Sequence, residues 1–218
     1  MKEITTLLFD IDGTILDTRE FILQATEHAL FTLKYPVPKR SVIEKFVGIP
    51  FLEYYKKLAG SEKDAERLMT AHREFQQSNF HLAKLFPNTS ETLRKLKKLG
   101  YRLGAATSRS KITSEQTLID AGIADLFETV ISAEDTKYLK PHPEPLLKAL
   151  KHMKEIPKKA IMVGDSHLDI EAGKNAGMKT IRATYGFHKD NLHNPEPDFF
   201  ISDIKELLIL LPKNKNTL

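Results

Sequence analysis

Four separated stretches carry side chains that could work on a phosphoryl group. Asp10-Ile11-Asp12-Gly13-Thr14 sets two carboxylates two residues apart, so in extended geometry both point to one side. Thr107-Ser108-Arg109 brings two hydroxyls and a guanidinium, Lys140-Pro141 an ammonium, and Gly164-Asp165-Ser166-His167-Leu168-Asp169 a second pair of acids. Each stretch has a plainer reading when taken alone. Asp–Gly after a strand is a turn, Thr-Ser caps a helix, a lysine is solvated, and an acid in a helix's first turn answers the helix dipole. Together they supply a nucleophile, a proton carrier and a cradle for an anion: one of Asp10 and Asp12 can attack phosphorus while the other handles the proton.

Charge decides what such a cluster is for. Carboxylates gathered in a partly desolvated site repel one another by several kcal/mol, so a hard dication together with Lys140 is needed to make them tolerable. Oxygen donors of this kind select Mg2+, which keeps open positions for water or substrate oxygens. A phosphate would then lie between the metal, Lys140, the hydroxyls of Thr107 and Ser108, and loop N–H groups. Gly13 would let backbone approach it closely, and a helix expected to start near Thr14 would offer free N–H groups.

These stretches converge only if the chain folds as its texture predicts. Ile4–Phe9 reads as a short buried strand that runs directly into the first acids. Residues 17 to about 83 carry apolar residues at helical spacing (Phe21, Ala25, Ala29, Leu33, then Leu68, Ala71, Phe75), broken by prolines and glycines, and predict about four helices. From Phe86 strand and helix alternate. Helices are expected at Ser90–Leu99, Thr113–Ala121, Glu144–Lys154, Leu168–Ala176 and Ile204–Leu211; strands at Tyr101–Ala106, Thr129–Ile131, Ala160–Val163, Lys179–Ala183 and Phe199–Ile201. That is an α/β chain: a doubly wound, Rossmann-like parallel sheet built from residues 1–16 and 84–218, with an all-helical cap, residues 17–83, inserted after the first strand. In such sheets ligands sit beyond the carboxyl ends of the strands, where all four stretches fall.

D-I-D-G-T followed by L-D-T, T-S after the second core strand, K-P-H-P-E-P, and G-D-S-H-L-D-I-E-A-G-K-N-A-G resemble the four signature motifs of the haloacid dehalogenase-like hydrolases, in order and over nearly the whole chain. The pattern is most similar to the phosphoglycolate phosphatases and PpaX-type pyrophosphatases within that family. The resemblance implies that Asp10 is the nucleophile and a Mg2+ ligand, forming an aspartyl-phosphate. It makes Asp12 the general acid/base, with its backbone carbonyl on the metal. Thr107 and Lys140 would bind phosphoryl oxygens and steady Asp10, Asp165 would ligate Mg2+, and Asp169 would ligate it or orient the ligands. Asp12 argues against the carbon-attacking dehalogenases and the phosphonatases, which lack a second acid. Ile22, where β-phosphoglucomutases carry a cap histidine, argues against that phosphotransferase alternative. Phe46-Val47-Gly48-Ile49-Pro50 resembles a substrate-specificity loop, and Gly48, with Arg19 near the hinge, is a candidate substrate contact.

Composition narrows the rest. The 218 residues hold no cysteine, which removes disulfides, thiolate zinc sites and a cysteine nucleophile. The eight histidines show no metal-ligand spacing, so no zinc is expected. A calcium loop counted from Asp10 would need Gly and Glu where Ile15 and Phe21 stand. Basic residues outnumber acidic ones by 33 to 29 and are scattered, without the aromatic–basic stripe of a nucleic-acid binder. With no signal-peptide pattern and no long apolar run, a cytoplasmic monomer or dimer acting on a small phosphorylated substrate or pyrophosphate is expected, with neither nucleic acid nor membrane as partner. A phospho-accepting receiver module is the rival from another class. It would have neither the insertion nor the second acid pair.

Overall fold

Thr6–Phe9 (β1) is apolar or β-branched throughout and buried at every position, the pattern of a strand covered on both faces. The computed structural model describes residues 3–46, 51–188 and 193–211. After β1 and the two-residue strand Leu16–Asp17 (β2), the chain enters four α-helices, Arg19–Thr32 (α1), Arg40–Ile43 (α2), Phe51–Ala59 (α3) and Glu62–Ser78 (α4). It leaves them through Lys84–Leu85 (β3). Strand and helix then alternate: Thr89–Lys98 (α5), Arg102–Ala106 (β4), Lys111–Asp120 (α6), Thr129–Ile131 (β5), Glu144–His152 (α7), Ala160–Gly164 (β6), His167–Asn175 (α8), Lys179–Ala183 (β7), Phe199–Ile201 (β8) and Leu207–Leu210 (α9).

The main sheet has six strands in the order β5-β4-β1-β6-β7-β8, all parallel. β1 is therefore flanked by β4 and β6, the two strands whose crossovers run opposite ways. That junction is where an open parallel sheet leaves a crevice at its carboxyl edge. Phe9 is level with Ala105 on one side and Val163 on the other, so the residues just after β1, β4 and β6 emerge together. Leu8, Met162, Leu146, Leu150 and Met153 share one core cluster, which seats α7 and α8 on the sheet.

Two compact units result: Met1–Asp17 with Leu85–Leu218, and Thr18–Lys84. The helical unit has a core of its own, with Leu30, Tyr54, Tyr55, Ala65 and Leu68 buried together. Ser61 caps α4 by accepting from the Asp64 N–H. Gly48 lies outside the described residues, as do the rest of its loop, residues 47–50, and the polar tail, residues 212–218. Among the described residues, no helix is long and apolar enough to cross a membrane.

Two predicted helices shift for local reasons. α6 begins at Lys111 rather than Thr113 because Ser110 is its cap, its side chain accepting from the Thr113 N–H. The last expected helix splits into a 3-10 turn, Ile204–Glu206, and the short α9. Asp203 and Glu206 form a reciprocal capping box that tightens the first turn.

Gly104 in β4 marks how closely the core is filled. A Cβ there would fall 2.7 Å from Leu8 Cδ2 and 2.9 Å from Met153 Sδ. Gly104→Val is expected to lower stability by about 1–3 kcal/mol through overpacking, seen as a lower urea midpoint. An unchanged midpoint would mean that the β1–β4–α7 contact is looser than described.

Candidate active site

Asp10 is the first residue beyond β1, and its N–H still donates to the Val163 carbonyl at 2.9 Å, which ties it to the end of β6. Thr107, one residue past β4, is held in the same way by the Ile131 carbonyl. Lys140 arrives from the loop before α7. Its Nζ donates to Asp10 Oδ1 at 2.6 Å, Asp169 Oδ1 at 2.6 Å and the Ala106 carbonyl at 3.1 Å, so all three of its protons are engaged. Lys140, Asp10 and Asp169 are all buried.

Asp10, Asp165 and Asp169 each offer an oxygen, and these oxygens lie within 4.8 Å of one another. Asp169 is the most confined. One carboxylate oxygen takes Lys140 while the other accepts from the Ser166 hydroxyl at 2.6 Å and the Ser166 N–H at 3.0 Å, and Ser166 in turn caps α8. Among the described residues Asp165 is gripped on one oxygen: Oδ2 accepts from the N–H groups of Phe187 at 2.7 Å and His188 at 3.3 Å. Hard oxygens converging with one free edge suit Mg2+.

The surrounding backbone is glycine wherever it must come close. A Cβ on Gly13 would sit 2.3 Å from Asp165 Oδ2, one on Gly164 would sit 2.3 Å from Asp169 Cβ, and one on Gly186 would sit 2.4 Å from Asp165 Cβ. Gly13 also has φ +77°, so any side chain there would be strained.

No helix begins near Thr14, which corrects that expectation. The N–H groups of Thr14, Ile15 and Leu16 all turn to the Ile11 carbonyl, and the Gly13 N–H goes to Leu16, closing residues 11–16 into a loop that ends in β2. The first helix starts only at Arg19. Thr14 itself is fully buried, and its carbonyl accepts from the Tyr185 hydroxyl at 2.9 Å. Free helical N–H groups are therefore absent at this point.

The Asp12 carboxylate stands apart from the three-acid group. It pairs with Arg109, Nη1 to Oδ1 at 3.4 Å, both side chains being about nine-tenths buried. Arg109 also donates from Nη2 to the Thr113 carbonyl and from its N–H to Thr107 Oγ1. Ser108, beside it, is half-buried. Arg19 belongs to the helical unit, where its guanidinium meets Glu44 at 2.9 Å. Tyr185, Gly186, Phe187 and His188 had no signal in the sequence beyond a Gly in a polar stretch, yet they form the wall against Asp165.

One ammonium shared by two carboxylates leaves the cluster short of positive charge. Burial pushes the Asp10 carboxyl well above its usual range, outweighing Lys140, with Asp169, Asp12 and Asp165 adding to the rise. Burial likewise pushes Asp165 up to about 7. Asp169 goes the other way: Lys140 and the two Ser166 hydrogen bonds overcome its burial and lower it. Lys140 is raised by the same two acids.

A family model described as haloacid dehalogenase-like hydrolase matches residues 7–183. A pyrophosphatase PpaX of Bacillus anthracis is 35% identical over 211 residues, spanning 96% of this chain and 97% of that one. A haloacid dehalogenase-like hydrolase structure from Bacteroides fragilis superposes with a TM-score of 0.87 at 27% identity, over 94% of this chain and 100% of that one. A predicted phosphoglycolate phosphatase from Haemophilus somnus shares the fold with a TM-score of 0.88 at 24% identity, over 96% and 99% of the two chains.

The raised acids set a pH dependence for the metal-free protein. Between the ordinary 3.8 and about 7, folded Asp165 keeps a proton that the unfolded chain gives up, so stability falls as pH rises through that window. Asp10 acts in the same direction. In chelator, the melting temperature is expected to be higher at about pH 5.5 than at about pH 8, and Mg2+ should shrink the difference. A chelated protein that melts higher at the alkaline end would contradict this charge balance.

Proposed function

The chain belongs to the haloacid dehalogenase-like hydrolase family, and on that premise we propose that it is a Mg2+-dependent phosphohydrolase. Its substrate would be a small, strongly anionic phosphate, inorganic pyrophosphate first and a phosphoglycolate-type monoester second. The observation that carries the reading is the buried contact of one lysine with two acids, Asp10 and Asp169, with Asp165 inside the same 4.8 Å group. The named activity of the Bacillus anthracis relative supports pyrophosphate as the first choice.

Asp10 is the proposed nucleophile. Lys140 holds its Oδ1 and turns Oδ2 toward the incoming phosphorus. As the Asp10–phosphorus bond forms and the bond to the leaving oxygen breaks, Asp12 gives that oxygen its proton. Asp12 then takes a proton from the water that attacks the phosphorylated Asp10, releasing phosphate and restoring both acids. Arg109 keeps Asp12 in place and lends positive charge at the entrance. The N–H groups of Ile11 and Ser108, which have no partner among the described residues, and the Thr107 hydroxyl would hold phosphoryl oxygens. Mg2+, held by Asp10, Asp165 and the Asp12 carbonyl, would screen the carboxylates and draw charge from the phosphoryl oxygens. Asp169, with both oxygens already engaged, serves by fixing Lys140 rather than by binding the ion.

Asp10→Asn is expected to lower phosphate release by about 1,000-fold or more, since the nucleophile itself is lost. Release would be followed over pyrophosphate, phosphoglycolate, sugar phosphates and nucleotides, with Mg2+ and with chelator. Full activity in Asp10→Asn, or in chelator, would sink the proposal. A single equivalent of phosphate taken up and retained would mark a phospho-accepting module instead.

A further inference from the structure

Arg182, in β7, is the largest fully buried side chain among the described residues. Its Nη2 donates to the His188 carbonyl at 3.2 Å, while Nε and Nη1 are buried without a hydrogen-bond partner among the described residues. A cation buried with so few partners is destabilising, and an apolar side chain of similar length would be tolerated better. Asp165 and Asp169 favour its charge while burial opposes it.

What its one bond does is specific. The carbonyl it holds belongs to the residue whose N–H, with that of Phe187, donates to Asp165 Oδ2. Gly186, two residues before His188, touches Asp165 so closely that a Cβ there would lie 2.4 Å from both Asp165 Oδ2 and the Gly13 carbonyl. The turn thus has little freedom on the side of the acid, and Arg182 grips it from the underlying strand.

We propose that Arg182 is a positioning residue for cation capture: by holding the His188 carbonyl it aims two backbone N–H groups at one oxygen of Asp165 and leaves the other for the metal. This rests on the metal-site reading above. It adds a residue outside the recognised motifs, one that touches neither substrate nor metal.

The test is direct binding of Mn2+, standing in for Mg2+, to the full chain without substrate, with free Mn2+ counted by electron paramagnetic resonance. The thermal melt of each metal-free variant is recorded alongside. Arg182→Met is expected to weaken Mn2+ binding by about 10–100-fold, as for other groups that orient metal ligands, without lowering the metal-free melting temperature. Arg182→Gln ends two bonds short of Nη2, the atom that holds the carbonyl, cannot reach it, and carries the same expectation should the Met variant not fold. Arg182→Lys, longer and still charged, should recover part of the affinity.

Binding as tight as, or tighter than, that of the unchanged chain in the Met or Gln variant overturns the proposal, because removing only a nearby positive charge would strengthen cation binding. Weakened binding with a lowered melting temperature in both variants, unrelieved by Lys, also overturns it, since that is general damage to the core. Asp165→Asn separates the two levels. If it binds Mn2+ like the unchanged chain, the metal-site reading has failed. If it loses binding while Arg182→Met does not, only the role of Arg182 has.

Discussion

A single ammonium stands 2.6 Å from two buried carboxylates, and the architecture of this end of the sheet follows from that shortage of positive charge. Charges this close in a poorly solvated pocket interact far more strongly than they would in water. If all four were ionised, Asp10, Asp12, Asp165 and Asp169 would exceed by one the cations acting on them among the described residues, Lys140, Arg109 and Arg182. In the proposed reading, a bound dication would reverse that sign and favour a phosphate. Burial raises Asp165 first of all, and the neighbouring Asp169 adds to the rise.

The scaffold enforces closeness that the charges alone would resist. Register brings the ends of β4, β1 and β6 level, so Asp10, Thr107 and Asp165 cannot drift apart without breaking strand pairing. Glycines at 13, 164 and 186 remove the atoms that would hold Asp165 and Asp169 at arm's length. Ser166 does two tasks with one side chain, capping α8 and fixing Asp169. The two acids of that loop are therefore unlike. Asp169 accepts hydrogen bonds on both oxygens and holds Lys140, whereas among the described residues Asp165 has its donors on a single oxygen.

Much of this was legible in the residue order because apolar runs end where chemistry begins. Thr6–Phe9 passes straight into Asp10, and Ala160–Gly164 into Asp165, so strand ends and acids are read together. The helical texture of residues 18–84 was readable too, from apolar spacing that the core around Leu30, Tyr55 and Leu68 uses. Thr14 misled because Ile15 and Leu16 look like the apolar start of a helix. The Ile11 carbonyl instead collects three successive N–H groups and closes a loop. The 185–188 turn was hidden for a different reason: it contributes backbone N–H groups, which every sequence has, and only the fold aims them.

Arg182 was hidden most thoroughly, since a charge inside Lys179–Ala183 reads as a break in an apolar strand rather than as part of a site. Its two unpartnered nitrogens and the unpartnered Thr14 hydroxyl are buried at the same end of the sheet as the raised acids. Elsewhere buried polar groups are paired in such contacts as Tyr55 with His72 and Thr26 with the Ile22 carbonyl, although among the described residues the Thr89 and Thr136 hydroxyls are not. The same burial that raises Asp10 makes Lys140 indispensable beside it, and Lys140 in turn needs Asp169 to hold it there.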